Sequence, residues 1–174
     1  MKNAVVLGLG SNCPLESGSI ILKPCEILEK ACRALSYILS DIRFSSVYET
    51  EPMYLKEQSN FYNMAAAGFF QGSPLELLNA VQKIEADYGR CRDKERRFGP
   101  RTLDIDIELF SNLKIKTERL TIPHPLLYER PFILVPLLEI LPFFADIKDR
   151  AFYERCLEQS GQDGVRKLCG SFKL

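Results

Sequence analysis

The apolar residues of this chain recur with two different periods, and the order in which these periods follow one another restricts the fold. Residues 4–10 form a short apolar run rich in β-forming residues, which predicts a buried strand followed by a turn at its glycines. Residues 24–39 place apolar side chains at helical spacing, which predicts an amphipathic helix. Residues 42–50 alternate with the period of a strand, and residues 61–70 form another apolar strand. The first part of the chain therefore predicts the order β-α-β-β.

A second helix with a clear start follows these strands. Ser73 as N-cap, Pro74 at the first helical position and Glu76 in the first turn predict its beginning, and Gly89 lies near its end. Residues 103–110 then alternate strictly as a strand. The complete order, β-α-β-β-α-β, is typical of the ferredoxin-like α+β sandwich, in which an antiparallel sheet carries both helices on one face.

The remainder of the chain predicts turns and then helices at residues 132–141 and 150–159. We find no internal repeat, low-complexity tract or linker that would separate two domains. We therefore expect one domain over residues 1–174, with a core at about 4–140 and a C-terminal extension at about 146–174.

The charge balance and the cysteine and histidine content exclude several classes of protein. Lys plus Arg and Asp plus Glu each number 23, which argues against a polybasic nucleic-acid binder. The six cysteines contain no Cys-x-x-Cys pair, and His124 is the single histidine, so neither a structural zinc site nor a disulfide framework is expected. Residues 132–145 are the longest apolar stretch, but two prolines and a glutamate interrupt it. We expect a soluble, cytoplasmic protein without a nucleic-acid or membrane partner.

The pair Asp104-x-Asp106 is the sharpest functional signal. On a strand the two carboxylates face the same side, with Cα atoms about 6.6–6.8 Å apart, while Ile105, Ile107 and Leu109 anchor the opposite side. Such a pair suits one or two hard divalent cations, because Mg²⁺ favours carboxylate oxygens together with phosphate oxygens. The alternative interpretation is a solvated outer face of an edge strand.

An arginine-rich segment precedes this strand and favours a phosphate ligand. Guanidinium groups bind phosphate oxygens bidentately and stabilise the charge that develops during phosphoryl transfer. The alternative is that these cations only form weak surface ion pairs. The basic residues of the segment are Arg90, Arg92, Lys94, Arg96, Arg97 and Arg101, and further candidates after the strand are Lys116, Arg119, His124 and Arg130.

Two weaker signals remain. Phe61, Tyr62 and Asn63, together with residues 50–53 at the other end of the same connection, combine aromatic rings with a carboxamide. This combination suits a planar heterocycle, although core aromatics on a strand are the alternative interpretation. Gly8 and Gly10 lack the third glycine of a dinucleotide-binding fingerprint and on their own predict only a tight turn.

Taken in order, these segments closely resemble the 6-hydroxymethyl-7,8-dihydropterin pyrophosphokinases of folate biosynthesis. The resemblance covers roughly residues 4–140, and its most specific part is residues 97–106. It rests on residues 8–12, 45–52, 61–63, 89–92, 97–106, 119–124 and 130–132. It implies transfer of the terminal diphosphate of ATP to the pterin hydroxymethyl oxygen, with release of AMP.

The resemblance also implies a role for each matching residue. Asp104 and Asp106 would bind two Mg²⁺ ions that bridge the ATP phosphates. The residues implied in catalysis are Arg90, Arg92, Arg101, Asp104 and Asp106, with Arg90 and Arg92 on a mobile loop that closes over the phosphates. The residues implied in ATP binding are Gln82, Glu85, Arg92, Ile107, Arg119, Thr121, His124 and Arg130. The residues implied in pterin binding are Thr50, Pro52, Met53, Phe61, Asn63 and Phe132.

The chain departs from the family pattern at a few positions. Phe98 stands where many members carry Trp, and one additional residue separates Arg92 from Arg101. Glu108 occupies a position that is usually apolar, and by alternation it lies on the face of the aspartates. It would extend the acidic patch or point to solvent beyond it.

A different class of function remains open, namely a non-catalytic ferredoxin-like module that uses the basic loop to bind RNA or a regulatory ligand. Such a module would not need Asp104 and Asp106, since carboxylates repel nucleic-acid phosphate unless a metal intervenes.

Overall fold

The computed structural model describes residues 2–91, 99–141, 150–161, 164–170 and 172. Ten strands and four helices lie in this part of the chain. The strands are β1 (Asn3–Ser11), β2 (Leu15–Ser17), β3 (Ile20–Leu22), β4 (Leu39–Phe44), β5 (Val47–Thr50), β6 (Phe61–Phe70), β7 (Asp104–Phe110), β8 (Ile115–Lys116), β9 (Thr121–Ile122) and β10 (Val165–Cys169). The helices are α1 (Pro24–Ser36), α2 (Pro74–Asp87), α3 (Pro131–Ile140) and α4 (Arg150–Ser160), with a 3₁₀ turn at Leu127–Glu129.

Six of the strands form one antiparallel sheet, which confirms the prediction of a mixed helix and sheet architecture. The order is β10-β5-β6-β1-β7, and β4 pairs with β6 on the edge that β5 also uses. Strand β1 lies between β6 and β7, with Leu7 opposite Ala66 on one side and Ile107 on the other. Two small hairpins, β2–β3 and β8–β9, lie outside this sheet.

Alternating side chains of the sheet pack into two separate hydrophobic cores, one on each face. Leu7 of β1 packs with the buried residues of α1 and α2. Its neighbour Val6 packs with those of α3 and α4. Because successive side chains of a strand point to opposite faces, α1 and α2 cover one face, and α3 and α4 cover the other.

The prediction that Leu109 shares a face with Ile105 and Ile107 is wrong. Leu109 packs with α3 and α4, whereas the two isoleucines pack with α1 and α2. The pairing of β7 with β1 shifts register between Val6 and Leu7, which brings Leu109 opposite Val6 and Ile107 opposite Leu7.

The prediction of one strand over residues 42–50 is wrong, because the structure has two strands, β4 and β5, lying end to end along β6. The break falls at Ser45 and Ser46, which are both buried. Ser45 Oγ accepts a hydrogen bond from the Ala65 amide at 2.8 Å. Ser46 donates to Glu139 through its amide at 2.9 Å and its hydroxyl at 2.7 Å. These contacts satisfy the backbone amides of Ala65 and Ser46, which a continuous ladder would have paired with backbone carbonyls.

The predicted helices are present with small differences at their ends. Residues 24–39 give the shorter helix α1, and the two C-terminal helices become α3 and α4. The hairpins and β10 were not predicted. Within the described residues, no helix is both long enough and apolar enough to cross a membrane.

The predicted start of α2 is confirmed in detail. Ser73 is the N-cap, and its Oγ accepts a hydrogen bond from the Glu76 amide at 3.3 Å. Glu76 returns the bond, because its carboxylate accepts from the Ser73 amide at 2.7 Å. This reciprocal arrangement satisfies two amides that a helix start leaves without an intrahelical partner.

Replacing Ser73 with alanine removes this cap and should lower the free energy of unfolding by about 0.5–2 kcal/mol. Urea denaturation monitored by circular dichroism measures the change. Ser19→Ala is the matched control, because Ser19 is an exposed serine in a turn and should leave the midpoint unchanged. An unaltered midpoint for Ser73→Ala would show that the cap does not stabilise the fold.

Candidate active site

A cavity of about 520 Å³ opens on the face of the sheet that α3 also covers. Its floor comes from the ends of three neighbouring strands, β6, β1 and β7, and its rim from residues 51–58 and the start of α3. The lining residues used below are Gly8, Gly10, Thr50, Met53, Tyr54, Phe61, Asn63, Arg90, Arg101, Asp104, Asp106, Glu108, His124, Arg130 and Phe132.

The glycines of β1 leave room for neighbouring side chains. The prediction that Gly8 and Gly10 form a tight turn is wrong, because both lie inside β1. A Cβ at Gly8 would lie 2.8 Å from Glu108 Oε1, and one at Gly10 would lie 3.1 Å from Asn63 Oδ1. A side chain at either position would crowd these neighbours, so the two glycines serve close approach across the sheet rather than a turn.

The segment after these glycines holds the chain at Arg101. The Asn12 amide donates to the Arg101 carbonyl at 3.1 Å, and Asn12 Oδ1 accepts from the Arg101 amide at 2.9 Å. Ser11 Oγ donates to the Thr102 carbonyl. Ser11 and Asn12 thus fix the backbone that enters β7, a role that the sequence pattern did not indicate.

Asp104 projects from β7 into the cavity between two arginines. Arg101 Nη1 donates to Asp104 Oδ2 at 2.6 Å. Arg90 Nη1 contacts both Asp104 Oδ1 and Glu85 Oε1. Burial by itself raises the pKa of Asp104, but the two guanidinium groups outweigh it and hold that pKa below its ordinary value of 3.8. Asp104 is therefore ionised at neutral pH.

Asp106 lies two residues further along β7 and differs from Asp104 in its surroundings. Burial and the neighbouring Asp104 carboxylate raise the pKa of Asp106 to about 7. Its charge is thus poorly compensated by the protein. Two oxygen ligands on one rigid strand fit a hard divalent cation, which would supply the missing positive charge. No group of three or more His, Cys, Asp or Glu side chains is arranged as a metal site in the described ranges, so any further ligands would come from substrate or water.

Glu108 is the third carboxylate on this face and is completely buried. Neither of its carboxylate oxygens has a hydrogen-bond partner among the described residues. Burial and the nearby Asp106 charge raise the pKa of Glu108 well above its usual range. Of the two expectations for this residue, an extended acidic patch agrees with the structure and a solvent-facing side chain does not.

His124 lies beside Glu108 at the cavity wall. The His124 amide donates to the Glu108 carbonyl at 3.0 Å, and its Nδ1 lies 3.8 Å from Glu108 Oε2. Burial and the Arg130 charge lower the pKa of His124 to about 4, so the ring is neutral at pH 7. Its Nδ1 accepts a hydrogen bond from the Leu126 amide at 3.3 Å, which leaves the proton on Nε2. A neutral ring in this tautomer can donate one hydrogen bond to an anionic ligand.

Two aromatic rings of the cavity each lie near an arginine. The Arg101 guanidinium is 5.9 Å from the centroid of Phe61, and that of Arg130 is 5.5 Å from the centroid of Phe132. Arg130 also lies 5.7 Å from the ring of Tyr54. Tyr54 was not predicted as a site residue, and an aromatic side chain within the polar connection was the signal that could have identified it.

The predicted pterin-binding residues lie together. Asn63 Nδ2 donates to Thr50 Oγ1 at 2.7 Å, and both side chains are buried. Met53 is half exposed at the rim. Pro52 is buried next to these residues, but it is not among those that line the cavity.

The predicted ATP-binding residues are more dispersed. His124 and Arg130 line the cavity. Glu85 is buried behind it, where its Oε1 accepts a hydrogen bond from the Ile105 amide at 2.8 Å. The remaining predicted ATP contacts do not line the cavity, and they are Gln82, Ile107, Arg119 and Thr121. Arg92, Phe98 and most of the predicted mobile loop lie outside the described residues.

Replacing Glu108 with methionine should stabilise the protein by about 1–3 kcal/mol, because an apolar side chain of similar length removes an unpartnered buried carboxyl. A raised pKa in the folded state makes Glu108 progressively more destabilising as the pH rises above the ordinary glutamate value. The gain should therefore be larger at pH 8 than at pH 5.

Denaturant unfolding of both proteins at the two pH values, without added metal, measures this difference. Glu16→Met is the control, because Glu16 is exposed and its replacement should change stability little. A Glu108→Met protein less stable than the parent at pH 8 would show that the carboxyl has an uncounted stabilising partner.

Comparison with known proteins places the chain among enzymes of one kind. A family model described as 7,8-dihydro-6-hydroxymethylpterin-pyrophosphokinase (HPPK) matches residues 6–142. The chain is 43% identical over 166 residues to 2-amino-4-hydroxy-6-hydroxymethyldihydropteridine pyrophosphokinase of Bacillus subtilis, covering 95% of this chain and 90% of that protein. It is 42% identical over 125 residues to the protein of the same name from Haemophilus influenzae, covering 71% of this chain and 77% of the relative.

Longer relatives and a solved structure share the same region. The chain is 39% identical over 138 residues to a folate synthesis bifunctional protein of Arabidopsis thaliana, but spans only 27% of its length. A crystal structure described as HPPK-DHPS in complex with substrates superposes with a TM-score of 0.63 at 18% identity. The superposition covers 91% of this chain and 43% of the other, and it shows a shared fold.

Proposed function

The chain belongs to the 7,8-dihydro-6-hydroxymethylpterin-pyrophosphokinase family, and we propose that the cavity beside β7 is where it carries out the family reaction. The protein is an ATP-dependent diphosphokinase of folate biosynthesis. It transfers diphosphate from ATP to the hydroxymethyl group of 6-hydroxymethyl-7,8-dihydropterin and forms AMP. The observation that supports this location is that one cavity is lined both by the carboxylates of β7 and by the Phe61 and Phe132 rings.

In the proposed reaction, the substrate hydroxyl oxygen attacks the β-phosphorus of ATP in line with the bond to the α-phosphate oxygen. A new bond forms between that oxygen and the β-phosphorus, the bond to AMP breaks, and the hydroxyl proton is lost to solvent or phosphate. No described side chain is placed as a strong general base for this step. Catalysis therefore comes mainly from positioning and from electrostatic stabilisation of the phosphates.

Asp104 and Asp106 would hold Mg²⁺, and we expect two ions, which would neutralise part of the phosphate charge. The fit rests on the poorly compensated charge of Asp106 and on the oxygen ligands that both side chains direct into the cavity. The strand keeps the two carboxylates on one face, because Ile105 between them is fixed in the core.

Arg90 and Arg101 are the cations best placed to bind the transferred phosphates. Both line the cavity, and both bind Asp104. ATP phosphates offer the two guanidinium groups new anionic partners while leaving them within reach of the reacting phosphorus. His124 would donate from Nε2 to a phosphate oxygen, and Arg130 would add positive charge at the same wall. Arg92, which lies outside the described residues, would also bind the phosphates.

The pterin would stack on Phe61 and Phe132, whose rings contribute apolar area at low entropy cost. Thr50 and Asn63 would recognise the polar edge of the heterocycle through hydroxyl and carboxamide groups. Pro52 and Met53 would close the subsite, the former partly through its backbone carbonyl. Outside the cavity, ATP would be contacted by the remaining residues of the predicted ATP site, which are Gln82, Glu85, Ile107, Arg119 and Thr121.

We further infer that the fold is a ferredoxin-like sandwich with C-terminal additions. The strand order, with β1 between β6 and β7 and both α1 and α2 on one face, supports this topology. We also propose that residues 1–174 act as one cytoplasmic domain on small-molecule substrates and do not bind nucleic acid.

The proposed location is tested by measuring AMP formation from ATP in variants of the two aspartates. In the parent protein this activity should require both Mg²⁺ and the pterin. Asp104→Ala and Asp106→Ala should each reduce turnover to background, because the phosphates can no longer be positioned. The fold should persist, since neither side chain belongs to a hydrophobic core. Asp87→Ala, at an exposed carboxylate at the end of α2, is the control. Near-normal activity of either variant at saturating Mg²⁺ would place the metal elsewhere.

Phe132→Ala should weaken pterin binding by about 1–3 kcal/mol through lost stacking and apolar burial, while ATP affinity changes little. Titration calorimetry with each ligand separates the two effects. Phe152→Ala is the control, because Phe152 lies on α4 and packs against Tyr128 of the 3₁₀ turn rather than at the cavity. An equal loss of affinity for both ligands would mean that Phe132 only supports the fold.

A further inference from the structure

The C-terminal strand β10 lies against the part of the sheet that carries the proposed pterin site. It pairs antiparallel with β5, with Val165 opposite Thr50 and Lys167 opposite Tyr48. The match to the family ends at residue 142, so β10 lies C-terminal to the matched region.

Because β10 pairs with it, β5 is an interior strand of the sheet rather than an edge strand. Strand β5 has only four residues, and Thr50 is the last of them. On its other side Thr50 is opposite Phe61, and Tyr48 is opposite Asn63. Without β10, this short strand would be an edge strand held from one side only, and such edges are weakly held. With β10, the backbone that presents Thr50 is paired on both sides.

A side chain of β10 also reaches Glu49, which lies before the segment that forms the cavity rim. Arg166 forms an ion pair with Glu49, the residue before Thr50. Glu49 Oε1 in turn accepts a hydrogen bond from Asn60 Nδ2 at 3.2 Å. Asn60 directly precedes β6, so Glu49 and Asn60 flank residues 51–58. Arg166 thereby joins β10 to the base of this rim.

A second contact joins β10 to helix α3, which carries Phe132. Lys167 Nζ lies 3.4 Å from Glu139 Oε1. The same carboxylate accepts hydrogen bonds from the Tyr48 hydroxyl at 2.8 Å and from Ser46. One residue of α3 thus binds both β5 and β10, and it connects the helix of Phe132 to the strand of Thr50.

We propose that β10 is a positioning element for the pterin subsite, which holds Thr50, the rim at residues 51–58 and helix α3 in the geometry that binds the heterocycle. Exposed ion pairs contribute little on their own, so the backbone pairing carries most of this effect and the ion pairs set its register. The carboxylates of β7 lie beyond β6 and β1 in the sheet order. Changes in β10 should therefore affect pterin and leave ATP largely alone.

The test rests on the proposed function and uses the full chain. Affinity for the pterin is measured by titration calorimetry with Mg²⁺ and a non-hydrolysable ATP analogue at saturation, and affinity for the analogue is measured separately. Lys167→Pro removes a backbone donor from the middle of β10. It should raise the pterin Kd by about tenfold, the factor expected if β5 keeps its binding geometry for about a tenth of the time.

A milder pair of variants keeps the test independent of folding defects. Arg166→Glu places two like charges opposite one another, and it should raise the pterin Kd severalfold. Combining it with Glu49→Arg restores an opposite-charge pair and should recover most of the loss. Arg33→Glu is the control, because Arg33 forms a comparable exposed ion pair with Glu29 on α1, away from the cavity.

Two results would overturn the proposal. One is an unchanged pterin Kd in both Lys167→Pro and Arg166→Glu. The other is an equal loss of affinity for pterin and ATP analogue together with a lower melting temperature, which would make β10 a stabilising strand only. Failure of the parent protein to bind pterin or to form AMP would instead contradict the proposed function, so the two failures are distinguishable.

Discussion

The two-residue period of β7 is the constraint on which both the fold and the site depend. Ile105 and Ile107 point into the core with α1 and α2, while Asp104 and Asp106 between them point into the cavity. The same strand therefore fixes the carboxylates by burying their neighbours. A slip of one residue in the pairing of β7 with β1 would place acids in the core and isoleucines in the cavity, so the register is strongly determined.

Charge compensation around this strand is uneven, and the unevenness indicates where ligands act. Asp104 is neutralised by Arg90 and Arg101, whereas Asp106 has a raised pKa and the Glu108 carboxylate lacks a hydrogen-bond partner among the described residues. A stable fold alone has no use for acids that are buried without a partner. At Asp106, the missing positive charge is what a divalent cation would bring, so the cost to the free protein becomes binding energy. Glu108 is completely buried, and no cation in the described ranges compensates its carboxyl in this way, so this side chain lowers the stability of the fold.

The sequence predicted those features whose cause lies within a few residues and missed those whose cause lies far along the chain. The start of α2 follows from Ser73 and Glu76 alone, and β6 has the bounds expected from its apolar run. Asp104 and Asp106 also lie on one face of β7 as predicted, because strand alternation is a local property. The break between β4 and β5 depends on Glu139, which is 93 residues from Ser46. No pattern in the sequence near Ser46 predicts this break. Gly8 was mistaken for a turn because its role is to make room for Glu108, 100 residues further on.

The two halves of the cavity differ in how firmly the fold holds them. The carboxylates stand on β7, whose partner β1 is paired along both edges and packed on both faces. Of the proposed pterin contacts, Phe61 and Asn63 stand on β6. Thr50, Met53 and Phe132 depend instead on the four-residue strand β5, on irregular chain at residues 51–58 and on the first turn of α3. Segments with short ladders and many exposed residues open at lower free energy than a central strand does. Metal and phosphate would therefore meet a preformed surface, whereas the pterin would enter the part of the site that is easiest to open. A subsite that must recognise a flat substrate and then release a larger, charged product gains from lying in that part of the fold.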